Sequence, residues 1–300
     1  MKPELLAPCG NIKTLKAAVQ SGADAVYFGA GKFSARAFAG NFEGEELQRA
    51  IEFATKFNVK SYLAINTLVT DREIDEALAI VKFAYSVGVG AFIVQDLGLA
   101  SAIKETYPDA VLHASTQTTA QSPEDVNTLA NLGFKRVVLA RELSRKQIKK
   151  ISANTKAELE VFVHGALCSA YSGQCLMSSF IGGRSANRGK CAQPCRLPYK
   201  SSKSEGVLLS LKDLCLINYI SEFKEMGISS LKIEGRMKGE AYVRAVVSAY
   251  RLVIDGGELP ANQKSKILEV FNRGGYTDGY FTGDKSKMYM KTLKNPYGAK

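Results

Sequence analysis

Several absences narrow the field. No run of about 18 apolar residues occurs in the 300-residue chain, so no membrane-spanning helix is expected. The opening MKPELLAPCG has no apolar h-region of the kind a secretory signal needs. A cytoplasmic protein with reduced thiols is therefore expected. Neither H-E-x-x-H nor G-x-S-x-G occurs, which removes two common hydrolase signatures. Acids are scarce: 29 Asp and Glu face 40 Lys and Arg, for a net charge of +11. That imbalance favours an anionic partner, nucleic acid first.

The surplus charge is clustered. Arg184, Arg188, Lys190, Arg196, Lys200 and Lys203 are opposed only by Glu205. Residues 285–300 carry five lysines, no acid, and Tyr289 and Tyr297. Basic stretches with interleaved rings suit a phosphate backbone and exposed bases, although a solvated terminus has the same composition.

Cysteine is rare, with six in all, yet four fall within one short stretch as Cys168, Cys175, Cys191 and Cys195, spaced C-x6-C-x15-C-x3-C. Thiolates this close in sequence, without a secretion signal, suggest a metal rather than disulfides. Zinc usually takes C-x2-4-C pairs, and these gaps are long for it. Wider, irregular spacing also holds iron–sulfur clusters. Cluster, zinc and no metal all stay open on spacing. Arg184, Arg188, Lys190 and Arg196 flank the thiols and would offset an anionic centre. Cys9 and Cys215 are spare; either could replace one of the four. Cys215 is read as opening a helix.

A rhythm runs through the chain. A helical stretch ends at Gly or Asn, and four residues later a short apolar run begins. Gly22, Asn58, Gly88, Gly133 and Gly227 mark these ends. The apolar runs read as buried parallel strands at 4–7, 25–29, 61–66, 91–95, 111–115, 136–140, 159–163 and 231–234. Helices fit at 11–21, 45–57, 71–87, 97–106, 122–132, 144–153, 213–226 and 239–255. Eight alternating strands and helices predict an α/β fold, a (β/α)8 TIM-type barrel. An open doubly wound sheet is the alternative, weakened because no Gly-rich dinucleotide fingerprint follows the first strand. The barrel is expected over 1–258. It includes a cysteine-rich insertion at 164–206 between strands seven and eight, with a small hairpin joining Pro198–Lys200 to Val207–Leu209. A C-terminal extension with a basic tail fills 259–300.

In such barrels chemistry sits at the carboxyl ends of the strands. Here those ends are polar: Asn66, then Gln95 and Asp96, then His113, Ser115 and Gln117, then Arg141 and Glu142, then His164, then Glu234 and Arg236. Cys9 follows strand one. Both histidines of the chain lie there. His113, His164, Gln117, Asn66 and Glu234 are the candidate catalytic groups. Arg236 and Arg141, with Arg184, Arg188 and Lys190, are the candidate substrate-binding groups.

The run from Glu160 through Phe162, Gly165, Ala166, Leu167 and Cys168 to Gly173, Cys175, Met177 and Ser178 has the spacing E-x-F-x2-G-A-L-C-x4-G-x-C-x-M-S. It closely resembles the signature of the peptidase U32 family. Further stretches are similar to that family: Glu4 to Pro8, Ala25 to Gly29, His113 to Gln117, Gly189 to Arg196, Leu211 to Leu214 and Lys232 to Arg236. The resemblance covers about residues 3 to 285. It implies one of several activities. Some members are called collagenase-like peptidases. Others hydroxylate a base in tRNA or ribosomal RNA, the tRNA branch depending on prephenate, and a paired branch hydroxylates a quinone precursor. The oxygen-inserting members carry a four-cysteine [4Fe–4S] cluster, which maps onto Cys168, Cys175, Cys191 and Cys195.

The leading expectation is thus prephenate-dependent hydroxylation of uridine in tRNA. Arg236 and Arg141 would grip prephenate or another small carboxylate donor, and His113, His164, Gln117 and Asn66 would orient the base. One alternative is a peptidase with Cys168 as nucleophile and His164 as base. Another is a non-catalytic subunit that partners a paralogue.

Overall fold

The computed structural model describes residues 2–35, 40–202 and 204–290. Lys203 and the tail residues Lys291, Lys294, Tyr297 and Lys300 lie outside them.

The eight expected strands are present: Glu4–Pro8, Ala25–Gly29, Lys60–Ile65, Ala91–Val94, Leu112–Ala114, Phe134–Val138, Glu158–Gly165 and Ser230–Ile233. Each pairs in parallel with the next, and strand eight pairs with both strand seven and strand one. The sheet is therefore a closed barrel, and the open-sheet alternative falls. The helix-stop residues act as anticipated. Gly22, Asn58, Gly88, Gly133 and Gly227 all have positive φ, between 56° and 93°, the left-handed region that ends a helix. Helix Pro123–Asn131 starts with Ser122 as N-cap and Pro at its first position.

The main apolar core lies between the barrel wall and the helices. The lumen has two unlike walls. On strands one to four, Leu6, Ala25, Tyr27, Tyr62, Ala64, Ala91 and Ile93 form a separate apolar cluster. On the other side Arg136, Glu160 and Lys232 are buried. Arg136 meets Glu4 at 2.6 Å, Glu158 at 2.9 Å and Glu160 at 3.3 Å, and Lys232 meets Glu160 at 2.8 Å. Burial opposes ionisation of Glu160, but Lys232 and Arg136 outweigh it and hold its pKa below the ordinary value.

Three expectations are corrected. The helix expected over 213–226 is only Ile220–Glu225. Asp213–Cys215 is instead a strand, antiparallel to the end of strand seven, and Cys215 pairs with His164. Local propensity lost there to the free edge that strand seven leaves beyond the barrel. The small hairpin pairs Tyr199–Lys200 with Glu205–Gly206 rather than with Val207–Leu209. Beyond residue 258, helix Ala261–Glu269 packs on helix Glu240–Ile254, and strand Tyr276–Thr277 adds to Asp213–Cys215.

Candidate active site at the barrel mouth

The carboxyl ends of strands three to five make a rim of polar groups. Asn66 Nδ2 donates to Ser115 Oγ at 3.2 Å, and its Oδ1 accepts from the Ala35 N–H at 3.0 Å. Gln117 Nε2 donates to the Asn66 carbonyl at 2.6 Å, and Gln95 Nε2 reaches the Gln117 carbonyl at 3.4 Å. The structure thus joins the expected Asn66 and Gln117 in one network.

Cations and rings alternate across the opening. The Arg141 guanidinium lies 5.3 Å from the centre of Phe162, and Lys232 lies 5.3 Å from Phe162 and 4.4 Å from Tyr27. Arg236 follows, 5.9 Å from Tyr27, its Nη1 donating to Ser34 Oγ at 2.5 Å. A Cβ at Gly29 would strike this guanidinium and Asn41, so glycine is what lets Arg236 reach the mouth. Phe162, Tyr27 and Lys232 entered the sequence analysis only within family-like stretches, not as candidate site residues. A lysine inside an otherwise apolar strand was the available signal.

The first half of the cysteine segment is clamped to this rim. Glu142 accepts from the Ser172 N–H at 3.0 Å and from its hydroxyl at 2.9 Å. The Arg141 N–H donates to Ser172 Oγ at 3.2 Å, and Thr119 Oγ1 donates to the Ser172 carbonyl at 2.7 Å. Farther along, the Ala192 N–H donates to Ser178 Oγ at 2.9 Å, tying the stretch after Cys175 to that of Cys191. Arg196 is buried and donates to Ser210, Leu211 and Leu167. It lies close enough to Cys195 and Cys168 for both to act on its charge, although burial has the larger effect and lowers its pKa. All four thiols are half-buried and free of disulfides. Among the described residues no three His, Cys, Asp or Glu side chains converge as they would on a single metal ion. Cys9 is fully buried, and burial pushes its thiol pKa up.

Several expected site residues stand elsewhere. His164 faces away from the lumen. Strands seven and eight slip register between Lys232 and Ile233, so Ile233 is opposite His164. Such a bulge flips the side-chain alternation. The imidazole therefore joins Tyr242, Tyr250 and Tyr276 outside the barrel, at ring distances of 5.0–6.0 Å. Its Nδ1 meets the Tyr250 hydroxyl at 3.4 Å and its Nε2 has no hydrogen-bond partner. Burial pushes its pKa down to about 3. The Cys168–His164 dyad is thus not formed. His113 does face the lumen, but it is buried below the rim against Tyr62, at 4.8 Å, and burial holds its pKa well below the usual value. Glu234 is half-buried at the end of strand eight, its carbonyl accepting from the Tyr242 hydroxyl at 2.9 Å.

Of the flanking cations, Arg188 is bound to Glu73 and the Leu68 carbonyl, so it anchors the loop rather than waiting for a ligand. Arg184 and Lys190 are exposed. No helix among the described residues is long and apolar enough to cross a membrane.

The model of peptidase family U32 matches residues 10–291. The chain belongs to this family. It is 40% identical over 267 residues to "tRNA hydroxylation protein P1" of Bacillus subtilis, covering 85% of the chain and 63% of that relative. It is 40% identical over 259 residues to "23S rRNA 5-hydroxycytidine C2501 synthase" of Escherichia coli, covering 84% of the chain and 39% of that relative. The chain therefore spans less than two thirds of the length of either. The solved U32 peptidase Mk0906 superposes with a TM-score of 0.55 over 78% of this chain and 93% of its own, at 12% identity, which supports the barrel fold.

Proposed function

We propose that this U32 protein is an iron–sulfur enzyme that hydroxylates RNA, with uridine in tRNA as the substrate and prephenate as the co-substrate. The carrying observation is the clamp of Ser172 on Glu142, Arg141 and Thr119, which seats the cysteine segment on the rim where Asn66 and Gln117 are joined. The names of the two relatives support the RNA substrate class.

Cys168, Cys175, Cys191 and Cys195 would hold a [4Fe–4S] cluster, which supplies one-electron transfer when bound. The long, irregular spacing C-x6-C-x15-C-x3-C suits a polynuclear centre better than zinc, whose usual pairs are C-x2-4-C. Arg236 and Arg141 would hold the carboxylates of prephenate, with Tyr27 and Phe162 against its ring. The side-chain amides of Asn66 and Gln117 would orient the uracil edge. His113 enters no step; it stays neutral beneath the site.

Nucleoside mass spectrometry of tRNA from cells lacking the protein tests the reading. Loss of hydroxyuridine, restored by the wild-type chain but not by Cys168→Ser, is expected. An unchanged hydroxyuridine level, with no paralogue left to supply it, defeats the assignment. The cluster is checked separately by iron content and visible absorbance after anaerobic purification. Cys175→Ser and Cys191→Ser should lose both, whereas Cys9→Ser should keep them.

A further inference from the structure

We propose that the outer side of the short helix Met177–Gly182 is a stacking platform for unpaired RNA bases, with Phe180 as its ring. The proposal rests on the reading of this protein as an RNA-modifying enzyme and names the surface that takes the RNA.

Phe180 is 87% exposed, Ile181 60% and Leu176 57%. Leu176 and Phe180 are four residues apart, so they share one side of the helix. The inner side is already committed: Ser178 is buried, and its Oγ accepts from the Ala192 N–H. A phenylalanine this exposed adds almost nothing to the core, because the hydrophobic effect scales with area removed from water. Clustered exposed apolar side chains instead mark contact surfaces.

Charge decides which contact. From Ala166 to Ser202 the sequence has no Asp or Glu. Three of the five cations there are engaged: Arg188 with Glu73, Arg196 with buried oxygens and Lys200 with Glu205 at 3.5 Å. Arg184 and Lys190 are exposed, and Arg184 Nε donates to the Lys190 carbonyl at 3.0 Å, which keeps the two close just beyond the helix. An exposed ring beside cations, in a segment without acids, fits a polyanion carrying flat bases. Bases stack on the ring while phosphates meet the cations. Cys175 precedes the helix by two residues, so RNA held here lies next to the proposed cluster.

The test is fluorescence anisotropy of the whole protein with fluorescein-labelled tRNA over a series of salt concentrations. Phe180→Ala should weaken binding about tenfold with the salt slope unchanged. Phe180→Trp should keep the affinity, and Phe180→Leu should behave like Phe180→Ala. Lys190→Ala should lower the salt slope by about one. Wild-type affinity in Phe180→Ala overturns the platform while leaving the RNA reading intact. So does full affinity in Phe180→Leu, since any apolar group would then serve. Loss of self-association in Phe180→Ala, with RNA affinity unchanged, overturns it in favour of a protein interface. A wild-type protein that does not bind this RNA overturns both the platform and the RNA reading.

Discussion

Arg188 grips Glu73 with both ends of its guanidinium, Nη1 to Oε2 at 3.0 Å and Nη2 to Oε1 at 2.5 Å. One residue lies in the cysteine segment and the other follows strand three, so the pair pins the loop across the barrel end. The Arg188 hydrogen bonds, with those of Thr70, push the Glu73 pKa from 4.5 down to about 2. A carboxylate with a depressed native pKa stabilises fully above its unfolded value and loses that contribution as pH falls. Glu73→Gln should therefore lower the urea midpoint relative to wild type above about pH 4.5, and the gap should close as pH approaches 2. Midpoints measured across that range check it. A gap that does not change with pH would mean the ion pair contributes nothing.

Much of the barrel was legible because its signals are local. A left-handed residue closes the helices that end at Gly22, Asn58, Gly88, Gly133 and Gly227, and the strands that follow are short and mostly apolar. Gly22, Gly88, Gly133 and Gly227 show both constraints together. The helix expected at 213–226 failed because residue periodicity carries no record of an open sheet edge elsewhere. His164 was misplaced for a related reason. Its position at a strand end was right, but the direction of its ring depends on a register slip against Lys232 and Ile233, which are distant in sequence. The clamp of Ser172 on Glu142 was likewise invisible, since nothing local in either residue marks the other.

His164 should act as a stability group rather than a catalytic one. Its native pKa is about 3, against an unfolded value of 6.5. Between those values the unfolded chain binds a proton that the native chain does not. Stability should thus fall as pH drops below 6.5, by at most about 1.4 kcal/mol per pH unit from this residue. Unfolding curves of wild type and His164→Gln between pH 4 and 8 should show a smaller pH slope in the variant. Above pH 5 the imidazole is neutral throughout, so the shape of any activity–pH profile should be the same in both proteins.

The buried pair of Lys232 and Glu160, at 2.8 Å, should be costly to halve. Lys232→Met leaves Glu160 with Arg136 as its one cationic partner among the described residues, in a site where Glu160 is fully buried. Removing one partner of such a pair costs about 3–5 kcal/mol. Lys232→Met combined with Glu160→Gln should recover part of the loss, because no lysine charge is then missing opposite a carboxylate. Urea unfolding of the two single variants and the double gives the coupling directly. Equal and additive losses would show that the charges do not interact.

Gly173 tests whether the seating of the cysteine segment on the rim matters to function. Its φ is +79°, and a Cβ would come within 3.0 Å of Gln117 Cα and C and closer still to its carbonyl oxygen. Gly183, with φ of +62°, has nothing within 4 Å of the same position. Both Gly→Ala changes incur the left-handed penalty of about 1–2 kcal/mol. Only Gly173→Ala adds a collision with backbone that cannot swing aside. That collision must lift Ser172 from Glu142 and Thr119, and so separate Cys168 and Cys175 from the rim. Gly173→Ala should consequently lose tRNA hydroxylation out of proportion to its change in melting temperature, while Gly183→Ala keeps activity at a similar stability. If both variants lose activity only in step with stability, contact between the cysteine segment and the mouth is not what the reaction depends on.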